Sequence, residues 1–261
     1  MPGVRGGAGV SAARRVLVTG GASGVGAATV RALAGSGFAV DFTYRSSIEA
    51  AEGLLADLRA AYPDRAFIGH ALDLADKAAL DVFCDAAENA GYYGLVHNAG
   101  QPSDALAAMF DQDRAETVMQ INFFALTRLA KALVRPMTQA RTGRIIAIGS
   151  VAALRGNAGN AAYAATKGAL IAYCRTLAVE TAKRGVTVNV IAPGFVDTAM
   201  MARYAAHRAG MERQIPAGRF AQPEDVAALA AFLMGDGAAY ITGAVLPVDG
   251  GLTAMMGVHR T

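Results

Sequence analysis

The chain has 261 residues, 54% of them hydrophobic and 17% charged, with a net charge of +3. That length and apolar content suit one α/β domain with a large buried core, and exclude a disordered or fibrous chain. Basic residues are scattered without a Lys/Arg block, which argues against nucleic-acid binding, and no run reaches the roughly 18 apolar residues of a membrane helix. Residues 1–13 are Gly/Ala-rich and lack the apolar stretch of a signal peptide, so a short flexible tail on a cytoplasmic protein is expected. Residues 14–19 read as a strand and 24–34 as a helix. Strands at 38–44 and 66–71 bracket a helix at 48–60. A helix at 77–89 leads to a short strand at 94–97. One long helix is predicted over 113–139, then a strand at 144–148 and a helix at 161–182. Strands at 186–191 and 244–248 flank a helix at 223–234. Strands alternating with helices in this way imply βαβ units. The expected fold is a single Rossmann-type, doubly wound parallel sheet of seven strands with helices on both faces, covering residues 14–261. Residues 195–215 break the rhythm and are expected to form a substrate lid, since ligands bind outside the carboxyl ends of such strands. Cys84 and Cys174 lie in helical patterns without CxxC spacing and read as buried thiols, with no metal site implied.

Two features carry chemistry. Thr19-Gly20-Gly21-Ala22-Ser23-Gly24-Val25-Gly26 joins the first strand to the first helix. Glycines there permit a sharp turn and close approach of a phosphate, and a helix N-terminus offers free N–H groups and a positive dipole end. Tyr163 and Lys167 stand four apart on a predicted helix and so share a face. A free tyrosine has a pKa near 10, too high for proton exchange at neutral pH. The neighbouring ammonium is expected to lower it, fitting Tyr163 for acid–base work. The hydroxyl of Ser150 could hold a substrate oxygen as charge builds on it.

The loop pattern TGxxxGxG resembles the short-chain dehydrogenase/reductase family. Further motifs follow in the family's order: Asn98-Ala99-Gly100, with His97 where a second Asn is common; Asn122; Ser150; Tyr163-Ala164-Ala165-Thr166-Lys167 as YxxxK; and Pro193-Gly194. The matches run over residues 16–251, nearly the whole chain. The resemblance implies a nicotinamide-dependent oxidoreductase of C=O and CH–OH groups, with Asn122, Ser150, Tyr163 and Lys167 catalytic. Lys167 would also hold the nicotinamide ribose, and Asn122 would anchor a water in a proton relay. Gly20, Ser23, Gly24, Val25 and Gly26 would cradle the cofactor phosphates. Asp73 would contact the adenine, beside Leu74. Asn98, Ala99, Gly100, Pro193, Gly194, Val196 and Thr198 would complete the cofactor site.

By family register, Tyr44 takes the place of the aspartate that selects NAD(H). Arg45 and Ser46 follow it and could pair with a 2′-phosphate, so NADP(H) is expected in preference to NAD(H). Within the family, residues 156–163, 184–195, 215–219 and 239–243 resemble the 3-oxoacyl-acyl-carrier-protein reductases. That resemblance implies an acyl thioester substrate on an acidic carrier protein, docked by Arg141 and Arg184. Cationic capping of helix C-termini is the plainer role for those two arginines. Phe123-Phe124, Gln101-Pro102 and the C-terminal Met255 and Met256 depart from the subgroup. A reductase of a free small ketone, sugar, steroid or secondary alcohol therefore stays open, as does a non-catalytic nucleotide sensor. Apolar residues on more than one face of the 113–139 and 161–182 helices, among them Ala125, Leu126, Leu129, Leu133, Ala169, Leu170, Ala172, Tyr173 and Leu177, predict a homotetramer.

Overall fold

The computed structural model describes residues 13–255, so the predicted N-terminal tail, apart from Ala13, lies outside the described residues, as does Met256. Seven strands are present: β1 (Arg15–Thr19), β2 (Ala39–Tyr44), β3 (Phe67–Ala71), β4 (Tyr92–His97), β5 (Gly143–Ile148), β6 (Val186–Pro193) and β7 (Val245–Val248). All pair in parallel, in the order β3-β2-β1-β4-β5-β6-β7. The order reverses between β1 and β4, and such a switch point opens a crevice at the carboxyl ends of the strands.

Helices cover both faces. α1 (Gly24–Gly35), α2 (Ile48–Ala61) and α8 (Pro223–Met234) lie on one side; α3 (Lys77–Glu88), α4 (Gln112–Met119), α5 (Ala125–Ala140) and α6 (Ala161–Thr181) lie on the other. The two-residue period of a strand sets the division. Val16, Val18, Val96 and Ile146 enter the α1/α8 core, whereas Leu17, Leu95 and Ile145 enter the α3/α5/α6 core. Parallel strands buried on both faces read as continuous apolar runs, as these do.

The long helix predicted over 113–139 is present as one helical run, Gln112 to Ala140, but it is not α-helical throughout. A π-turn, Gln120–Phe124, separates α4 from α5 and carries Asn122. Asn122 Nδ2 donates to Gln101 O and Thr166 Oγ1 at 3.0 Å each, and its Oδ1 accepts from Gln101 N at 2.8 Å. Those bonds give the distorted turn a tertiary reason that no helical periodicity could reveal.

The expected irregular region after β6 holds a 3₁₀ segment, Ala199–His207, and a short helix α7 (Arg208–Glu212). A bidentate pair from Arg208 to Asp197, at 2.9 and 2.7 Å, anchors it. The surplus of apolar helix surface is smaller than the sequence suggests. Ala125, Leu126, Leu129, Leu133, Leu170 and Leu177 are all buried within the single chain and Ala169 and Tyr173 half-buried, so Ala172 alone of the named residues is exposed; Phe124 and Val179 are exposed as well. Cys84 and Cys174 are buried, and burial raises their thiols to about 11 and about 12.

Candidate active site

A cleft of about 1060 Å³ opens beyond the carboxyl ends of β1, β2, β4, β5 and β6. Its floor begins at the loop before α1. Gly20 and Gly24 have φ of +65° and +51°, a region where a side chain is strained. A Cβ on Gly20 would also lie 3.0 Å from Ala99 Cα, and one on Gly26 would lie 2.0 Å from Gly20 O. Gly26 is therefore a packing glycine behind the loop; it does not line the cleft. Ser23 caps α1 by backbone alone, without a side-chain bond, so the first N–H groups of the helix face the cleft ready for an anion. Thr198 stands over this cradle, its Cγ2 3.2 Å from where a Gly24 Cβ would be.

The loop is stapled to neighbouring strand ends. Gly20 N donates to Thr43 Oγ1 at 3.2 Å, and Gly21 N to Thr43 O at 2.9 Å. Asn98 Nδ2 donates to Thr19 O and Gly20 O at 3.1 and 3.0 Å. Asn98 N and Ala99 N both donate to Thr19 Oγ1. Tyr44, Arg45 and Ser46 line the cleft where β2 ends, and Asp73 and Leu74 line it after β3. Asp73 Oδ1 also accepts from Ala75 N at 2.9 Å, which fixes its carboxylate.

Across the cleft, Ser150 stands two residues past the end of β5, and α6 presents Tyr163 and Lys167. Pro193 ends β6, and Gly194 and Val196 follow it into the cleft. Lys167 is only 3% exposed, and its Nζ donates to Ile148 O at 2.8 Å. Nζ lies 5.7 Å from the Tyr163 ring centroid. Burial pushes the ammonium down to about 8. The Tyr163 phenol moves the other way from the sequence expectation. Burial raises it, the Ser150 hydroxyl pulls it back, and the Asp104 carboxylate raises it further. The phenol is thus held in its neutral form at pH 7, because desolvation disfavours the phenolate more than the Ser150 hydrogen bond favours it.

Asn122 lies behind the wall: its side chain is fully buried and holds Gln101 and Thr166, and Thr166 Oγ1 donates to Tyr163 O at 2.8 Å. Sequence reasoning missed the opposite rim. Asp104 accepts from Asn160 Nδ2 at 2.7 Å, from Arg203 Nη2 at 2.8 Å and from the Tyr204 hydroxyl. Arg155 Nη2 donates to Met255 O at 2.7 Å and to Thr253 O. No spacing signal links these residues, which lie up to 100 positions apart. Arg141 and Arg184 are elsewhere. Arg141 ends α5 with φ 54° and donates to Lys183 O at 3.1 Å, which brings the two arginines together where β5 and β6 begin. β5 alone separates that edge from the cleft by roughly 20 Å at about 3.3 Å per residue.

A family model described as enoyl-(acyl carrier protein) reductase matches residues 20–253. The chain belongs to the short-chain dehydrogenase/reductase family. The 3-oxoacyl-[acyl-carrier-protein] reductase FabG of Escherichia coli (strain K12) is 39% identical over 239 residues, 90% of this chain and 96% of that protein. Its namesake from Pseudomonas aeruginosa is 47% identical over 159 residues, 60% of this chain, and the match spans 64% of that relative's length. Among solved structures, a Beutenbergia cavernae protein assigned as an NAD(P) dependent gluconate 5-dehydrogenase, with NADP bound at low occupancy, superposes with a TM-score of 0.88. It is 35% identical and covers 94% of this chain and 98% of its own. A single-residue variant of the actinorhodin polyketide ketoreductase with NADPH has a TM-score of 0.86 at 30% identity, covering 93% and 98%.

The buried Lys167 makes stability depend on pH. Its folded pKa of about 8 lies below the ordinary 10.5, so between those values the unfolded chain binds the extra proton and stability rises with pH. Lys167→Met should abolish that rise. The stability of the native protein relative to the variant should grow by roughly 3 kcal/mol from pH 7 to pH 10.5. Denaturant titrations of both proteins at the two pH values measure it; parallel curves would show that Lys167 is not held in a desolvated site.

Proposed function

We propose that the chain is an NADPH-dependent reductase of a 3-oxoacyl thioester, working in the cytoplasm in fatty acid or polyketide-type synthesis. The observation that carries this reading is the meeting of Ser150, Tyr163 and Lys167 on one wall of a cleft whose floor is a helix N-terminus without a side-chain cap. The cradle fits a dinucleotide: Gly20 and Gly24 allow close approach of the pyrophosphate, and exposed Arg45 and Ser46 stand at the end of β2 for a 2′-phosphate. When bound, the nicotinamide supplies the hydride.

The chain's own residues supply the proton. The Ser150 hydroxyl holds the substrate oxygen, and Tyr163, neutral at pH 7, gives its phenolic proton to that oxygen as charge develops there. The Lys167 ammonium stabilises the resulting phenolate and would hold the ribose hydroxyls. Asn122 keeps α6 and the Gln101 turn in register from behind. Met200, Met201, Met211 and Leu252 give the outer cleft an adaptable apolar lining suited to an acyl chain.

The relatives named as 3-oxoacyl reductases support the thioester substrate. The acyl carrier protein would dock at Arg141 and Arg184. Because those residues sit at the far edge of the sheet, its pantetheine arm would serve the cleft of a neighbouring copy. A free sugar acid or small ketone is the second reading, favoured by the likeness to the Beutenbergia protein. The presence of Ser150, Tyr163 and Lys167 together speaks against a non-catalytic sensor. The segment 195–215 acts as the substrate lid, latched to Asp104 by Arg203 and Tyr204.

Tyr163→Phe should cut NADPH oxidation with an acetoacetyl-carrier substrate by about 10²–10⁴-fold, the usual worth of positioned acid catalysis, with cofactor affinity nearly unchanged. A variant retaining more than about a tenth of the rate is incompatible with Tyr163 as the acid. Activity on a ketone panel but not on the thioester would favour the second reading.

Arg45→Asp should move preference from NADPH to NADH, since a carboxylate repels the 2′-phosphate and accepts from ribose hydroxyls. Fluorescence titration with both dinucleotides reads this directly. Unchanged NADPH affinity would place Arg45 away from the cofactor.

The assembly should be a homotetramer. Phe124, Ala172 and Val179 on one surface and Phe232 and Tyr240 on another are exposed, giving two apolar patches for two isologous interfaces. Light scattering at micromolar concentration should return four times 26.8 kDa. A dimer would mean that one patch is unused, and a monomer would overturn the prediction.

A further inference from the structure

His97 ends β4, and it is fully buried on a face otherwise filled by Leu17, Leu95 and Ala147. A polar ring at such a position needs both nitrogens satisfied. Nε2 lies 3.1 Å from Asn122 O, and Nδ1 lies 3.1 Å from Thr19 Oγ1. A carbonyl oxygen only accepts, so Nε2 carries the hydrogen. Thr19 Oγ1 already accepts from Asn98 N and Ala99 N, and its own hydrogen has one remaining acceptor, His97 Nδ1. Each end of the ring independently requires the same neutral tautomer.

The bonds join into one chain. It runs from the amides of Asn98 and Ala99 through Thr19 and His97 to the Asn122 carbonyl. From the Asn122 side chain it continues through Thr166 to the backbone of Tyr163. We infer that His97, fixed as the Nε2–H tautomer, is a positioning residue that locks the π-turn of Asn122 to the base of the phosphate loop, resting on the acid–base role proposed for Tyr163 and Lys167. Its neutrality is imposed from outside as well: burial, and then the Lys167 charge, push the imidazole down to about 3. A charged ring would face Lys167 and lose its acceptor for the Thr19 hydroxyl.

Three substitutions separate positioning from filling space. His97→Phe keeps the volume and removes both bonds. His97→Gln keeps one donor and one acceptor on a side chain of similar reach. His97→Asn is too short to span both partners. His97→Phe should lower kcat roughly tenfold to hundredfold, the cost of a small misplacement of catalytic groups, with KM within about threefold. His97→Gln should recover most of the loss. The effect of His97→Phe should largely vanish in an Asn122→Ala background, since coupled residues are non-additive.

Should His97→Phe fail to fold, ¹⁵N-histidine NMR of the unmodified protein carries the test, with His97→Asn assigning the signal. The expected pattern is a neutral Nε2–H ring that does not titrate down to pH 5. A Nδ1–H ring, an ordinary titration near pH 6.5, or a kcat of His97→Phe equal to that of the unmodified protein would overturn the inference. Full activity of Tyr163→Phe would instead remove the reductase reading and leave the tautomer result standing.

Discussion

The structure depends on one constraint: a parallel sheet sends every strand's carboxyl end to the same edge, and the polar backbone there must be satisfied. At the switch point between β1 and β4 the sequence answers with Thr19 and Asn98. A single hydroxyl accepts two amides, and a single carboxamide donates to two carbonyls. An unsatisfied buried group costs about 1–3 kcal/mol, so this staple is a substantial share of the marginal stability of a domain. It also sets the shape of the cradle. With Gly20 pressed against Ala99 and Gly26 against Gly20, the loop has no room to relax, and the first turn of α1 is left facing outward. The anion site is a by-product of how the strands close.

The same economy of partners governs the opposite wall. Lys167 is buried to 3% exposure with a single carbonyl partner, an arrangement that disfavours its charge. Tyr163 is likewise disfavoured as an anion. Lys167 therefore sits close to a change of protonation near neutral pH, whereas Tyr163 is held in its neutral, proton-carrying form. Holding such a pair requires rigid surroundings, and the π-turn supplies them. Asn122 reaches from the turn to both the Gln101 loop and Thr166, so the wall is braced from two directions.

The outer rim is built on other terms. Asp104 meets Arg203 and Tyr204, and Arg155 meets the Thr253 and Met255 carbonyls, through exposed or half-exposed contacts that water screens. Such contacts can open and close at little energetic cost, which suits a mouth through which substrate must pass. A rigid, buried base and a weakly closed polar rim thus divide the cleft.

The sequence alone determined the fold class, because apolar runs of strand length alternating with helices leave few alternatives to a doubly wound sheet. It also located the loop of Gly20 to Gly26 and the Tyr163–Lys167 pair, since their spacing along one turn or one helix face carries the information. What it could not determine were contacts between distant segments. The π-turn within the 113–139 helix follows from Asn122 bonding to Gln101 and Thr166. The raised phenol of Tyr163 follows from burial, where residue type alone had suggested lowering. The Asp104 rim joins residues up to 100 positions apart. His97 looked like a substitution in a motif; its role depends on Thr19 and Asn122 arriving on either side of it. Local spacing is written along the chain, whereas burial and long-range hydrogen bonding exist only once the strands and helices have come together.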